Sequence, residues 1–202
     1  RTSKTVNCQL EMFSLVGALV KYLFQRPEYF ILVIGLDGAG KTCLVEKCKE
    51  LYRPGHKRQL MSKIKTTVGL NVGKIDIASL TLTFWDVGGQ PDLQCLWGKY
   101  FNEVHGVIYV IDANDKTRLR ESLQAFDTMV DSHDLNGVPL LILANKQDVE
   151  GAMDVPEIKV VFNECAPKLG TRDCKVLPVS AVSGVNIKQS LEWLALSVQR
   201  NT

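Results

Sequence analysis

The sequence predicts a single α/β domain: a mostly parallel six-stranded sheet with helices on both faces, preceded by an N-terminal amphipathic helix. Three observations point there. Apolar runs of strand length at 29–34, 106–111, 139–144 and 176–179 each lead into a stretch of helical pattern, an alternation that builds a parallel sheet between two helical layers. Two further runs, 68–76 and 80–85, alternate apolar and polar residues with Leu80, Leu82 and Phe84 on one face, as the arms of a hairpin do. The chain has 202 residues, 46% of them apolar, enough for one sizeable core and too few for two ordinary domains.

The elements follow in order. Residues 12–24 (MFSLVGALVKYLF) are mostly apolar but carry Lys21. The run falls short of the roughly 20 apolar residues that a membrane span needs, and no small-residue cleavage site follows it, so a surface helix is expected rather than a signal peptide. The strand at 29–34 stops at a glycine-rich turn, and a helix is expected over 41–52. A polar, basic loop at 53–65 then leads to Thr66 and Thr67; loops of that length are commonly functional or disordered. The hairpin turns at about 77–79. Helices are expected over 116–130, 155–165 and 186–199, after the strands at 106–111, 139–144 and 176–179. Ligands in such sheets bind at the carboxyl ends of the strands.

Composition excludes several classes of function. With 24 basic and 22 acidic residues the net charge is +2, too small a field to call for nucleic acid as a partner. Six cysteines, at 8, 43, 48, 95, 165 and 174, form no CxxC pair and are expected as free thiols in a reducing compartment. His56, His105 and His133 lack metal-ligand spacing and are expected as surface or loop residues.

Gly35-Leu36-Asp37-Gly38-Ala39-Gly40-Lys41-Thr42 matches GxxxxGK[ST] between a strand and a helix, the context that this phosphate loop requires. Asp37, Gly38, Ala39, Gly40, Lys41, Thr42 and the following Cys43 are the expected phosphate-side residues. The glycines let backbone N–H groups converge, and the helix N-terminus adds its dipole. Lys41 is expected to reach the β- and γ-phosphates and the Thr42 hydroxyl to ligate Mg²⁺. A glycine-rich turn without a ligand is the competing reading.

The base is decided at Asn145-Lys146-Gln147-Asp148, directly after a strand. Guanine offers two adjacent donors, N1–H and the exocyclic amine, which one carboxylate at Asp148 can accept. Adenine would leave that carboxylate unpaired, and polar pairing of this kind discriminates by about 10⁴ to 10⁵. Ser180-Ala181 ends the next strand, with the Ala181 N–H expected to meet the guanine carbonyl.

Trp85-Asp86-Val87-Gly88-Gly89-Gln90 ends the third strand. Asp86 is expected to hold Mg²⁺ through water, the Gly89 N–H to touch the γ-phosphate, and Gln90 to orient the attacking water. Thr67 adds a second hydroxyl to Mg²⁺ when the γ-phosphate closes its loop, an order–disorder switch. An arginine acting in cis would lie about three residues before Thr67, where Ile64 stands. Hydrolysis then needs an arginine from a partner, worth about 10³ to 10⁵ in rate.

These three motifs together resemble the small GTPases of the ADP-ribosylation-factor class, and the wording of Thr66-Thr67-Val68-Gly69-Leu70-Asn71, Leu96-Trp97, 105–112 and Arg172-Asp173-Cys174 is similar to its ADP-ribosylation-factor-related branch. The resemblance covers about 12–201 and implies a P-loop GTPase domain at 27–200, an attaching helix at 12–26 and a leader at 1–11 without counterpart. It implies Met12 as the natural start, and Phe13 where a myristoylated relative needs glycine. It further implies GTP/GDP and Mg²⁺ as ligands, and an exchange factor and an arginine-supplying activating protein as partners. Effectors are expected on an apolar patch of Leu70, Trp85 and Tyr100. An acetylated N-terminus recruited by a receptor is implied too, so that the cytoplasmic protein visits Golgi or trans-Golgi membranes reversibly and acts in membrane traffic.

Gly38 and Pro91 depart from the family wording, and Val182 replaces a polar residue. Two rivals to a slowly hydrolysing switch are a nucleotide-dependent scaffold with negligible hydrolysis, against which Gln90 speaks, and an ATP-using P-loop enzyme, against which Asp148 speaks.

Overall fold

The structure, a computed structural model, describes residues 26–56, 67 and 69–201. The helix expected at 12–24 and the arginine position at Ile64 lie outside the described residues. The strands are β1 (Glu28–Ile34), β2 (Leu70–Ile77), β3 (Leu80–Val87), β4 (Gly106–Asp112), β5 (Leu140–Asn145) and β6 (Cys174–Pro178). The α-helices are α1 (Lys41–Tyr52), the one-turn α2 (Pro91–Gln94), α3 (Leu119–Val130), α4 (Val155–Phe162) and α5 (Ile187–Arg200).

The six strands form one sheet in the order β2-β3-β1-β4-β5-β6. Only the β2–β3 hairpin is antiparallel. Side chains alternate across a strand, and β1 shows the result: Ile31 and Val33 face one core while Leu32 and Ile34 face the other. The first core packs α1 through Leu44 and Cys48, and α5 through Leu191, Leu194 and Val198. The second packs α3 through Leu123, Phe126 and Met129, and α4 through Ile158 and Phe162. Burial on both faces explains why the central strands read as unbroken apolar runs.

Register brings the functional ends together. Val33 pairs with Asp86, Ile34 with Tyr109, Asp112 with Asn145 and Ala144 with Pro178. The carboxyl ends of β1, β3, β4, β5 and β6 therefore lie along one edge, directly before the phosphate loop, the Gly88-Gly89 turn and the segments after Asn145 and Pro178.

Several boundaries differ from expectation for local reasons. Helix α3 starts at Leu119 rather than 116, because Asp115 Oδ1 accepts the Arg118 N–H at 3.2 Å and the Thr117 hydroxyl at 2.6 Å, a turn that competes with helix. Helix α4 ends at Phe162 instead of 165, and Asn163–Lys168 continues as a 3₁₀ turn containing Pro167, which lacks a donor and crowds the preceding carbonyls. The hairpin is tighter than expected: Ile77 pairs with Leu80, leaving Ala78 (φ +50°) and Ser79 as the turn. Strand β6 runs from Cys174 to Pro178 where 176–179 was expected, because Leu140 already pairs with Cys174. Among the described residues no helix is long and apolar enough to cross a membrane.

Candidate functional site

The turn after β1 wraps around one side chain. The Lys41 ammonium, on a residue only 6% exposed, donates to the carbonyls of Gly35 at 2.9 Å and Leu36 at 2.8 Å. Burial pushes its pKa down to about 8, against the opposing pull of Asp86 and Asp37. A buried cation held by neutral carbonyls favours an anion beside it. Gly40 caps α1 at φ +92°, and a Cβ there would stand 2.4 Å from Asn145 Nδ2. Gly89 approaches from the turn after β3; a Cβ on it would lie 2.5 Å from Lys41 Nζ and 2.1 Å from the Gly35 carbonyl oxygen. Glycine alone permits both approaches. Ala39 is buried, Gly38 is exposed at φ +76° with open space around it, and Cys43 is half-buried in the first turn of α1.

Beside Lys41, three oxygen-bearing side chains meet. Thr42 Oγ1 lies 2.6 Å from Asp86 Oδ2, to which it donates, and 2.9 Å from Thr67 Oγ1. Asn71, opposite Asp86 across the hairpin, donates to the same Oδ2 at 3.3 Å. Asp86 is fully buried and its Oδ1 has no hydrogen-bond partner among the described residues. Burial raises its pKa, which the bonds from Thr42 and Asn71 and the charge of Lys41 oppose. An orphaned buried carboxylate oxygen next to two hydroxyls is a hard-oxygen donor set. It fits Mg²⁺, which takes one or two protein ligands and completes its shell with water and phosphate. Among the described residues no group of three or more His, Cys, Asp or Glu side chains offers another metal site.

The turn after β5 holds the second half of the site. Asn145, only 2% exposed, donates from Nδ2 to the Ala39 carbonyl at 2.8 Å and accepts the Ala181 N–H on Oδ1 at 2.9 Å. The Ala181 N–H, expected to meet a base carbonyl, thus lies against the side chain of Asn145. Asp148 is exposed, and its Oδ1 accepts the Ser180 hydroxyl at 2.5 Å. Ser180 Oγ in turn accepts the Ser183 N–H at 3.0 Å, so both faces of that hydroxyl hold protein groups and orient Asp148. Lys146 adopts a left-handed backbone (φ +68°) and its ammonium meets Asp112 Oδ2. Such a conformation is uncommon for a residue with a side chain and recurs at functional sites.

Gln90 is exposed at the head of α2, with an extended backbone (φ −62°, ψ 147°). Pro91 opens α2, a position where its missing N–H costs nothing. The segment is anchored by Trp97, whose indole N–H donates to the Gly88 carbonyl at 3.0 Å. Across the hairpin Leu70 is 42% and Val72 52% exposed, beside half-buried Trp85, whose ring contacts Tyr100 at 5.5 Å and Phe30 at 5.0 Å.

Sequence reasoning missed Asn71, Asp112, Arg118 and Trp97; alternation along β2 and the strand-end position of Asp112 were the available signals. His105 lies in the loop before β4 as expected, and its half-buried ring accepts the Phe30 N–H on Nδ1 at 3.1 Å. Cys48, Cys95, Cys165 and Cys174 are free thiols.

A sequence model of the ADP-ribosylation factor family matches residues 16–198. ADP-ribosylation factor-related protein 1 of Homo sapiens is 50% identical over 190 residues, covering 94% of each chain. ADP-ribosylation factor-like protein 3 of Saccharomyces cerevisiae is 41% identical over 191 residues, 94% of this chain and 96% of its own. Among solved structures, the Arl6 small GTPase of Trypanosoma brucei, with the nucleotide analogue GppNp bound, superposes with a TM-score of 0.75 at 25% identity, covering 87% of this chain and 99% of that one.

Proposed function

The chain belongs to the ADP-ribosylation factor family of small GTPases, GTP-binding switches that use GTP, GDP and Mg²⁺, and from that premise we propose that it is a slow, partner-dependent switch of Golgi-related membrane traffic. The observation that carries the site reading is the cluster of half-buried Thr42 and Thr67 with buried Asp86 and its orphaned Oδ1, adjoining the buried Lys41.

In this reading Lys41 and the N–H groups of the loop from Asp37 to Cys43 bind the phosphates. Thr42 and Thr67 offer their hydroxyls to Mg²⁺, and Asp86 reaches it through water. The ion, when bound, neutralises charge on the β- and γ-phosphates. Asn145 and Lys146 brace the base pocket, Ser180 orients Asp148, and Asp148 accepts both guanine donors. Gly89 follows the γ-phosphate, and Gln90 orients the attacking water. Among the described residues, the arginine that reaches the phosphate loop is Arg118, and its guanidinium is committed to Asp37 and Glu121. In this reading, with Ile64 at the position of a cis-acting arginine, an activating protein supplies the arginine for hydrolysis and intrinsic turnover is slow. Leu70, Val72, Trp85 and Tyr100 form the surface for effectors, and an exchange factor reopens the Gly88–Trp97 segment.

Membrane coupling rests on the 12–24 segment as an interfacial anchor, aided by a membrane receptor. Binding of the GTP and GDP forms to Golgi-like liposomes, alone or carrying receptor, tests it with and without residues 12–24. The GTP form is expected to sediment with membrane and to lose that binding on deletion. Equal partitioning of both forms, or binding that survives the deletion, contradicts the reading.

A further inference from the structure

Asp37 brings a negative charge into a loop that must receive a polyanion. Its side chain does not stand alone. Arg118 Nη2 donates to Asp37 Oδ1 at 2.7 Å, and Arg118 Nη1 reaches the Asp37 carbonyl at 3.2 Å. The other edge of the guanidinium is held by Glu121, through Nε to Oε2 at 2.8 Å and Nη2 to Oε1 at 2.9 Å. The backbone of Arg118 is fixed as well, since its N–H donates to Asp115 Oδ1. One planar fork thus ties the phosphate loop, 81 residues away in sequence, to the start of α3, a geometry that arginine supplies and lysine does not.

The pair also acts electrostatically at the phosphate position. Asp37 follows directly on Gly35 and Leu36, whose carbonyls hold the Lys41 ammonium, so its carboxylate and the Arg118 guanidinium paired to it belong to the loop that wraps the phosphate-binding cation. With the guanidinium in place the field of the Asp37 carboxylate is offset; without it, an unpaired carboxylate faces the incoming phosphates.

We propose that Arg118 is a positioning residue for the nucleotide, gripping Asp37 by side chain and main chain so that the phosphate loop keeps its shape and its carboxylate does not repel the triphosphate. The proposal rests on the guanine-nucleotide reading of the site and adds to it a residue outside the nucleotide motifs.

Dissociation rates of fluorescent GDP and GTP analogues, with Mg²⁺ in excess, test it in the full chain. Arg118→Gln is expected to release GTP about 10-fold faster than wild type, and GDP less so, because the additional phosphate adds charge facing Asp37. Adding Asp37→Asn to that variant is expected to recover most of the loss. A merely structural tie would not give this recovery, because the double variant lacks the same ion pair. Arg118→Lys, which keeps the charge and loses the fork, is expected to lie between, and paired with Asp37→Asn it gives the same comparison should Arg118→Gln not fold. Wild-type release from Arg118→Gln, or double variants no slower than the single ones, overturns the proposal. A wild-type chain that retains neither analogue overturns the site reading itself, and the proposal with it.

Discussion

Asn145 and Ala39, 106 residues apart, are joined by a buried hydrogen bond of 2.8 Å from the Asn145 amide to the Ala39 carbonyl. The same side chain accepts the Ala181 N–H at 2.9 Å, so one amide clamps the phosphate loop to both segments at the base end of the site. Asn145→Ala would leave two buried backbone groups short of a partner, at about 1–3 kcal/mol each. Chemical denaturation of the ligand-free variant is expected to show a loss of about 2–4 kcal/mol, and GTP is expected to leave it at least 10-fold faster.

Thr42 stands between Asp86 and Thr67. Thr42→Asn removes the hydroxyl offered to the ion, so its nucleotide retention is expected to become insensitive to Mg²⁺. Adding a chelator should speed GDP release from wild type severalfold and leave the variant, already fast, nearly unchanged.

Asp148 is oriented by one bond from Ser180, which leaves its carboxylate acceptor sites for both guanine donors. ATP in 1,000-fold excess is expected to leave bound GTP in place, since polar pairing discriminates by about 10⁴ or more. In Asp148→Ala, the competition assay should show GTP affinity falling while ATP affinity stays low.

His105 ties stability to pH. Its pKa is pushed below 6.5 by burial, beside the rings of Tyr29 and Phe30, and its Nδ1 must stay unprotonated to accept the Phe30 N–H. Between the folded value and 6.5 the unfolded chain carries the proton and the folded chain does not, so stability falls as pH falls through this window. Urea midpoints from pH 7.5 to 5.5 should therefore decline more steeply in wild type than in His105→Asn, which keeps an acceptor and does not titrate.

What the sequence made legible is local. The phosphate loop, the Asn145–Asp148 run and the Asp86–Gln90 run are contiguous, and each follows an apolar strand, so residue type and context were read together. Alternation along 80–85 also disclosed that Leu80, Leu82 and Phe84 share one face, which lies in the first core. Partners across the fold were not legible. That Asn71 meets Asp86 depends on hairpin register, and that Lys146 meets Asp112 depends on which strands are neighbours. The grip of Arg118 on Asp37 depends on where α3 begins, which Asp115 moved by one turn. Ala181 lies three residues past the end of β6, and that its N–H meets Asn145 depends likewise on which strands are neighbours.

Single-turnover hydrolysis of GTP by the purified chain tests the central claim most directly. Without a partner the rate is expected to stay below about 10⁻² s⁻¹, and an added arginine-bearing activating protein should raise it by about 10³ or more. Gln90→Leu should abolish that stimulated rate. Partner-free turnover faster than about 10⁻² s⁻¹, or a Gln90→Leu variant that hydrolyses GTP normally, would contradict a slow switch that waits for a partner's arginine.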